Sequence, residues 1–328
     1  MEELVLGDAA IMIQDDPPAH TRLRNLLEPF FSRSGLAQLG VDVRAVAHAE
    51  LTTCIGRNVD FVEAVAARIA LRVIGGLLGL PPAELDYLRE WTNHLSEAVG
   101  LEFVSMNSQM LAGQALKVRA LHEELSERLT RILHDSRGTN GAGMIRASLD
   151  WPLEDAERVG LIKSVAFAGN HTSAILQSNA VELLARWPAQ FARVQRREVS
   201  IAGAANEVLR MKGTFRGITR VATANSELRG TKIARGDYLI AWLTSANWDD
   251  RVFADAAMFD VGRAPNRHVA FALGPHHCIG ARIARMELEA VIEVMCEHVA
   301  RVEVTNDPTP IGDPWVDGWE HLEVNLCR

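Results

Sequence analysis

The residue with the clearest chemical potential is Cys278, in the segment FALGPHHCIGARIARMELE. It directly precedes a stretch with helical spacing of apolar residues. A thiolate there would gain from the unpaired N–H groups of the first turn and from the positive end of the helix dipole. Gly274 and Gly280 let the backbone pass close to a large flat ligand, and Phe271 could cover the sulfur and exclude water. These features predict the buried, hydrogen-bonded thiolate that an iron–thiolate bond needs.

Two other interpretations of Cys278 remain open at this point. A single cysteine is most often a small buried apolar residue. His276, His277 and Cys278 could also bind zinc, but adjacent residues rarely reach one tetrahedral ion, and no CxxC or HxxxH pattern is nearby. The whole pattern, Phe-x-x-Gly-x-His-x-Cys-x-Gly, is far more specific than any one of its residues.

The elements around this segment follow a simple order. The first two-thirds of the chain has one helical pattern after another, and the stretch from Leu153 to about Trp187 is apolar on most sides, which predicts a central helix. From about Phe215, alternating β-branched residues and glycine turns predict a small sheet. Helix returns after Cys278. The order suits an α+β class or a mainly α class with a small β-sheet region.

Composition excludes several classes of function. The chain has 328 residues and a net charge of −8, so a nucleic-acid partner, which needs clustered cations, is not expected. No apolar run reaches the roughly 20 residues of a membrane span. The cysteines are few and widely spread, which argues against a disulfide framework. The expected location is the cytoplasm.

The cysteine segment resembles the haem-binding loop of the cytochrome P450 family. The resemblance implies haem b (iron protoporphyrin IX) as cofactor, Cys278 as the proximal iron ligand and metal-binding residue, and His276 as a donor to a haem propionate. Phe271 and Gly280 belong to the same loop. The family usually has glycine at the position of Ala272, a departure that matters only if this residue must adopt a positive φ.

A second resemblance concerns the structural triad of the family. Glu207 and Arg210 stand three apart in ANEVLRMK, on one helical face. Taken alone, such a pair is a surface salt bridge worth about 0–1 kcal/mol. Before the cysteine segment, it resembles the Glu-x-x-Arg helix of the family, and Arg263 in FDVGR matches the third member.

The family also supplies candidates for binding the propionates. Arg220 lies ten residues after Arg210, as does a propionate-binding arginine in bacterial members. The segment DDPPAHTRLRNLLEPFF resembles the third helix of the family and contributes His20 and Arg24, one turn apart. With His276, four donors would surround two carboxylates.

The central helix contains VAFAGNHTS, which resembles the oxygen-binding groove of the family. Ala168, Gly169 and Thr172 match, whereas His171 replaces the usual acid. The resemblance implies that Gly169 lets the helix bend and that Thr172 hydrogen-bonds dioxygen. We expect His171 to serve as a pH-sensitive proton relay, because imidazole has an unperturbed pKa of about 6.5, which burial would lower. The alternative is that His171 faces away from the pocket and only packs or caps.

The implied activity is that of a monooxygenase that inserts one oxygen atom of O₂ into a small organic substrate. Electrons would come from a separate ferredoxin or flavodoxin with an NAD(P)H-dependent reductase, since the sequence has no reductase domain. Arg22, Arg33, Arg282 and Arg285 could form a basic docking patch. The alternatives are a haem-thiolate enzyme that uses peroxide or couples rings oxidatively, and a haem protein without turnover.

Substrate contacts are predicted at three places, and Arg216 could clamp a carboxylate with two parallel bonds. The predicted contacts are Val165, Ala166, Thr214, Phe215, Arg216 and Trp315.

The resemblance also implies the fold of the family, a mainly helical triangular prism, as a single domain over residues 1–328. Compared with the family, the chain begins inside the loop that helps to roof the pocket, so this fold is expected without its usual first helix and strands.

Overall fold

A computed structural model describes residues 12–38, 40–104, 108–137 and 143–328. Within these ranges helices dominate, as the periodicity predicts. The helices of the described residues are α1 (Ala19–Phe31), α2 (Arg33–Gln38), α3 (Val43–Thr52), α4 (Ala67–Leu78), α5 (Leu85–Val104), α6 (Ser108–Asp135), α7 (Met144–Ser148), α8 (Asp155–Arg186), α9 (Pro188–Gln195), α10 (Ile201–Met211), α11 (Leu243–Asn247) and α12 (Ala281–His298). A π-helical turn, Val62–Ala66, leads into α4, and a 3₁₀ turn, Pro82–Glu84, leads into α5.

The strands are short and form small antiparallel sheets. They are β1 (Asn58–Asp60), β2 (Gly217–Val221), β3 (Ser226–Leu228), β4 (Thr231–Ile233), β5 (Tyr238–Trp242), β6 (Arg301–Val304), β7 (Thr309–Pro310), β8 (Trp319–His321) and β9 (Glu323–Cys327). β2 pairs with β5, β3 with β4, and β7 with β8, while β9 lies between β1 and β6. The early strand β1 therefore joins the C-terminal strands, a pairing that local sequence patterns do not predict.

Helix α8 is the central element of the fold. A capping box formed by Glu154 and Glu157 fixes its start, and Pro188 begins the next helix directly after it. Its residues are mostly buried, and it packs against α4, α5, α10 and α12. The predicted central helix is therefore confirmed, and its position lets it border both the core and the site.

The buried apolar residues form one connected cluster, to which α1, α3, α4, α8, α10 and α12 all contribute. The predicted class, mainly α with a small β region, is confirmed. Among the described residues, no helix is both long enough and apolar enough to cross a membrane.

Candidate active site

The loop before α12 holds Cys278 in a defined conformation. Ala272 has a φ of 56°, in the left-handed region, and its N–H donates to the Val269 carbonyl at 2.9 Å. The chain then returns so that the Cys278 N–H donates to the Phe271 carbonyl at 3.0 Å. The position at which the family usually has glycine thus does require a positive φ, and alanine there carries strain of about 1–2 kcal/mol.

The sulfur of Cys278 lies inside the protein and borders an open space. The side chain is accessible, yet burial among protein atoms raises the pKa of its thiol. The two observations agree for a group on the wall of an internal cavity. Hydrogen bonds from the backbone N–H groups of Gly280 and Ala281, together with the charge of Arg24, act against this rise and favour the thiolate.

A cleft of about 560 Å³ opens beside Cys278, between α1 and α12. It carries both signs of charge, from Arg24, Arg282 and Arg285 and from Glu28 and Glu289. Helices α1 and α12 therefore both border the cleft beside the sulfur.

Four cationic or imidazole donors gather at the cysteine loop. The rings of His20 and His276 lie 4.1 Å apart between centroids. Burial lowers the pKa of His276, and the charges of His20, Arg220 and Arg24 lower it further. These four side chains therefore lie close enough to interact electrostatically, although they come from α1, β2 and the loop.

The present hydrogen bonds of these donors leave capacity for a ligand. His20 is buried, and its Nδ1 atom has no hydrogen-bond partner among the residues that the structure describes. Arg24 donates to the His277 carbonyl at 2.9 Å and to Glu28 at 3.0 Å, and Arg220 donates to the Thr219 carbonyl at 2.6 Å. A buried unpartnered imidazole among cations fits a carboxylate ligand. The residues present therefore fit a haem with its propionates at this loop.

The groove segment of α8 presents one open face. Ala168 is exposed and Thr172 is partly exposed, although the residues around them are mostly buried. Residues four apart share a helix face, so Ala168 and Thr172 border the same space. The Thr172 hydroxyl donates to the Ala168 carbonyl at 2.6 Å.

Gly169 lies within α8, which is continuous from Asp155 to Arg186, and the bend expected at this residue stays a prediction. A Cβ atom on Gly169 would lie 2.5 Å from Cδ1 of Ile74 in α4. The absence of a side chain at Gly169 therefore lets α4 and α8 pack closely.

The pKa of His171 is lowered, in the direction that burial predicts. It falls from 6.5 to about 4, and among the described residues no charged group offsets this effect. A ring with this pKa is neutral between about pH 5.5 and 7.5, so a change of charge in that range is no longer expected. A neutral imidazole still has one donor and one acceptor nitrogen.

The segment after α10 reaches the groove directly. The Thr214 hydroxyl donates to the Thr172 carbonyl at 3.2 Å. Phe215 is 42% exposed, so its ring remains available for contact. Trp315 is joined to this segment, because the Arg216 N–H donates to its carbonyl at 2.8 Å.

Three of the predicted substrate contacts look different in the structure. Val165 shares the face of Ala168, but it is only 6% exposed, and Ala166 is 1% exposed, so Ala166 lies in the core and does not border the open space. Arg216 lies 3.4 Å from Asp317. Its charge is already matched, so it is a poor clamp for a substrate carboxylate.

The predicted triad residues meet in one buried knot. Glu207 and Arg210 are fully buried and share two hydrogen bonds of 2.8 Å, and Arg263 donates to the same carboxylate at 3.1 and 3.2 Å. Arg210 also donates to the carbonyls of Asn247, Ala256 and Met258. Removal of one partner from such a buried network costs about 3–5 kcal/mol. The knot fixes the chain between α11 and the cysteine loop.

Several residues near the site were missed by the sequence patterns. Trp242 stacks on Trp315, with centroids 5.8 Å apart; its position opposite Gly217 in β2 is visible only from strand register. Glu287 of α12 hydrogen-bonds Ser173 and Gln177 of α8. Both contacts join elements far apart in sequence.

Comparisons with known proteins agree with this geometry. The sequence profile described as Cytochrome P450 matches residues 201–310, which include the buried knot and the cysteine loop. Curated relatives extend the match to nearly the whole chain. The chain is therefore similar to the cytochrome P450 family both in this profile and over nearly its whole length.

Two curated relatives illustrate the range of this P450 family. The steroid C26-monooxygenase of Mycolicibacterium smegmatis is 27% identical over 319 residues, 96% of this chain and 73% of that protein. The linalool 8-monooxygenase of Pseudomonas putida is 29% identical over 330 residues, 98% of this chain and 79% of that protein. This P450 is accordingly an oxidoreductase of the monooxygenase type.

Solved structures give the fold. An unusual cytochrome P450-like monooxygenase involved in microbial secondary metabolism superposes with a TM-score of 0.89 at 26% identity, over 99% of this chain and 85% of that one. P450 OxyD, involved in the biosynthesis of vancomycin-type antibiotics, gives 0.83 at 29% identity, over 97% and 79%. The predicted P450 fold is confirmed, and haem is the cofactor that the family implies.

Proposed function

We propose that this P450 binds haem b through Cys278 and inserts one oxygen atom of O₂ into a small organic substrate, with electrons from a separate redox protein. The observation that carries the proposal is the accessible sulfur of Cys278 inside the protein. This sulfur accepts hydrogen bonds from the backbone N–H groups of Gly280 and Ala281. A structural cysteine would need neither the open space nor the hydrogen bonds.

The haem, when bound, supplies the oxidising chemistry. The chain would bind and orient it: His20, Arg24, Arg220 and His276 would hold its propionates by charge-assisted hydrogen bonds. Phe271 packs beside the cysteine loop and excludes water from the sulfur. A dry, N–H-bonded thiolate is a property of the protein that tunes a haem iron.

Helix α8 would supply the residues that act on oxygen. Because the Thr172 hydroxyl directs its proton to the Ala168 carbonyl, its lone pairs face the open space and can accept a hydrogen bond from water. Thr172 thereby holds a water, and so a proton, at Oγ1 beside Ala168. We assign His171 as a neutral relay that accepts a proton on one ring nitrogen and releases one from the other.

The substrate enters beside Thr214, Phe215 and the Trp242–Trp315 pair. These side chains are aromatic or uncharged, and the charge of Arg216 is matched by Asp317. An uncharged organic substrate therefore fits better than the acidic one that the sequence suggested. Relatives named for a steroid, for linalool and for methyl-branched lipids agree with a mainly apolar compound.

The electron donor is a ferredoxin or a flavodoxin with its NAD(P)H-dependent reductase, docked over the cleft beside Cys278.

The single connected core supports one domain over residues 1–328. A cytoplasmic location stays a prediction from the composition.

The decisive experiment is optical. The reduced protein with carbon monoxide should show the strongly red-shifted Soret band of thiolate coordination, and Cys278→Ser should lose it. Cys327→Ser, at the end of β9, is the matched control and should keep the band. Retention of the band in Cys278→Ser would overturn the assignment. A screen of uncharged apolar compounds for the high-spin optical shift would then identify the substrate class.

A further inference from the structure

A cluster of side chains beneath the cysteine loop is used neither by the proposed chemistry nor by the buried knot. It consists of Asn206 on α10, His268 and Phe271 in the loop, and Arg285 on α12. The Arg285 guanidinium hydrogen-bonds Asn206 Oδ1, and its Nη2 atom lies 3.3 Å from His268 Nε2. We name these four residues the proximal cluster.

The cation of the proximal cluster packs on an aromatic ring. The carbon Cζ of Arg285 lies 5.1 Å from the centroid of the Phe271 ring, within the range of a cation–π contact. The Phe271 carbonyl in turn accepts the N–H of Cys278 at 3.0 Å. Arg285 is thus coupled to the cysteine through one residue, and both side chains line the same cleft.

His268 is the neutral imidazole of the proximal cluster. Its Nδ1 atom accepts the Ala270 N–H at 3.3 Å, and its Nε2 atom lies 3.4 Å from Asn206 Oδ1 and 3.3 Å from Arg285 Nη2. Burial, followed by the charges of Arg285 and Arg210, lowers the pKa of His268 to about 4. His268 therefore adds no positive charge at neutral pH.

The charge of Arg285 is only partly offset, by the electrostatic effect of Glu289 one helical turn further along α12. Among the residues that the structure describes, no carboxylate forms an ion pair with it, and its nearest groups are an amide, a neutral imidazole and a phenyl ring. The guanidinium is half-buried, so water screens it less than a surface cation.

We propose that Arg285 is a positioning residue of the haem–thiolate site: it clamps Phe271 against the cysteine loop and raises the reduction potential with a positive charge that Asn206 and His268 hold without neutralising. Because one-electron reduction adds negative charge to the site, a nearby cation stabilises the reduced form. The proposal rests on haem–thiolate ligation by Cys278. It assigns Arg285 to the interior of the site, not to the docking patch predicted from the sequence.

The test is potentiometric titration of the ferric–ferrous couple in the haem-loaded protein. Arg285→Gln should lower the midpoint potential, because the charge is lost. Asn206→Asp should also lower it, because an isosteric carboxylate neutralises the same cation while the packing on Phe271 remains. Arg285→Lys should lie between wild type and Arg285→Gln. Arg267→Gln, an exposed arginine next to His268, is the matched control and should leave the potential unchanged.

Two results would overturn the proposal. One is a potential for Asn206→Asp equal to that of the wild type, which would assign any effect of Arg285→Gln to packing. The other is an equal shift in Arg267→Gln, which would indicate a general effect of surface charge. The carbon monoxide band of each variant distinguishes these results from a failure of the ligation itself. A missing band in the wild type would reject Cys278 as the iron ligand, whereas a normal band with the potentials above would reject only the role of Arg285.

Discussion

At the scale of single residues, Ala272 shows how a small departure from a family pattern has an energetic cost. Its φ of 56° lies in the left-handed region, where a residue with a Cβ atom is strained by about 1–2 kcal/mol. The sequence reveals the departure, but only the backbone shows that it carries strain.

We therefore expect Ala272→Gly to stabilise the protein. Relief of strain exceeds the extra flexibility that glycine gives the unfolded chain, about 0.4–1 kcal/mol, so the net gain is about 0.5–1 kcal/mol. Thermal unfolding should show a rise in the midpoint. Ala270→Gly, two residues earlier and without a positive φ, should lower it. A lower midpoint for Ala272→Gly would contradict the strain argument.

The proposed role of the Thr172 hydroxyl can be tested without removing any contact of the cysteine loop. Thr172→Ala loses the hydroxyl that holds a water beside Ala168, so electrons should be diverted into hydrogen peroxide, with a several-fold rise in peroxide per NADH consumed. Substrate binding, measured by the optical shift, should change little. Ser173→Ala, whose hydroxyl faces Glu287 instead, should stay coupled. Equal coupling in Thr172→Ala and wild type would exclude the role.

His171 leads to a prediction opposite to the one suggested by its sequence. Its pKa of about 4 keeps the ring neutral near pH 7, so coupling should not vary through this group between about pH 5.5 and 7.5. In His171→Asp, the same burial should raise the pKa of the carboxyl toward neutrality. Coupling should then become pH-dependent in that range. A flat profile for His171→Asp, with full activity, would show that the side chain lies outside the proton route.

At the scale of elements, the contact between α8 and α12 depends on a buried acid. Glu287 hydrogen-bonds Ser173 and Gln177, and no charged group of the described residues offsets its burial, which raises its pKa to about 8. The folded protein therefore keeps a proton on Glu287 where the unfolded chain, with a pKa near the ordinary value of about 4.3, has lost it.

This proton makes stability depend on pH. The folded-state pKa is raised, so the stabilising proton is fully bound below the unfolded pKa, and stability falls as pH rises from about 4.5 to about 8. The slope from this one group is at most about 1.4 kcal/mol per pH unit. Glu287→Gln keeps the shape and removes the titration. Denaturant unfolding at pH 5 and pH 8 should show a smaller difference in Glu287→Gln than in wild type, and equal differences would count against the neutral acid.

Local sequence patterns predicted the residues of the site better than they predicted contacts between distant elements. The cysteine loop and the Glu207–Arg210 pair could be predicted because their residues are close in sequence. The pairing of β1 with β9 and the Asn206–His268–Arg285 contacts could not, since each joins distant segments. The close packing of Gly169 against Ile74 could not be predicted either, since the two residues lie on different helices. The extent of burial at His171, which sets how far its pKa falls, is equally invisible in sequence.

At the scale of the whole molecule, the charges on the cysteine side bear on the electron donor. Two of the four arginines predicted for the docking patch are engaged elsewhere: Arg22 pairs with Glu157 at 3.1 Å, and Arg285 turns into the proximal cluster. Arg33 and Arg282 remain exposed. The patch is therefore smaller than the sequence suggested, and Glu28 and Glu289 in the same cleft oppose it.

A small patch on a protein of net charge −8 should steer an acidic ferredoxin weakly but at a defined place. Arg282→Glu should slow reduction by the ferredoxin at low salt and flatten the fall in rate as salt rises, because screening then has less attraction to remove. Lys232→Glu changes charge by the same amount on β4, outside the cleft, and serves as control. If both variants slow reduction equally, the donor responds to net charge alone. If neither does, attraction at the cleft does not limit the rate, and a flavodoxin or a neutral contact becomes the better description of the partner.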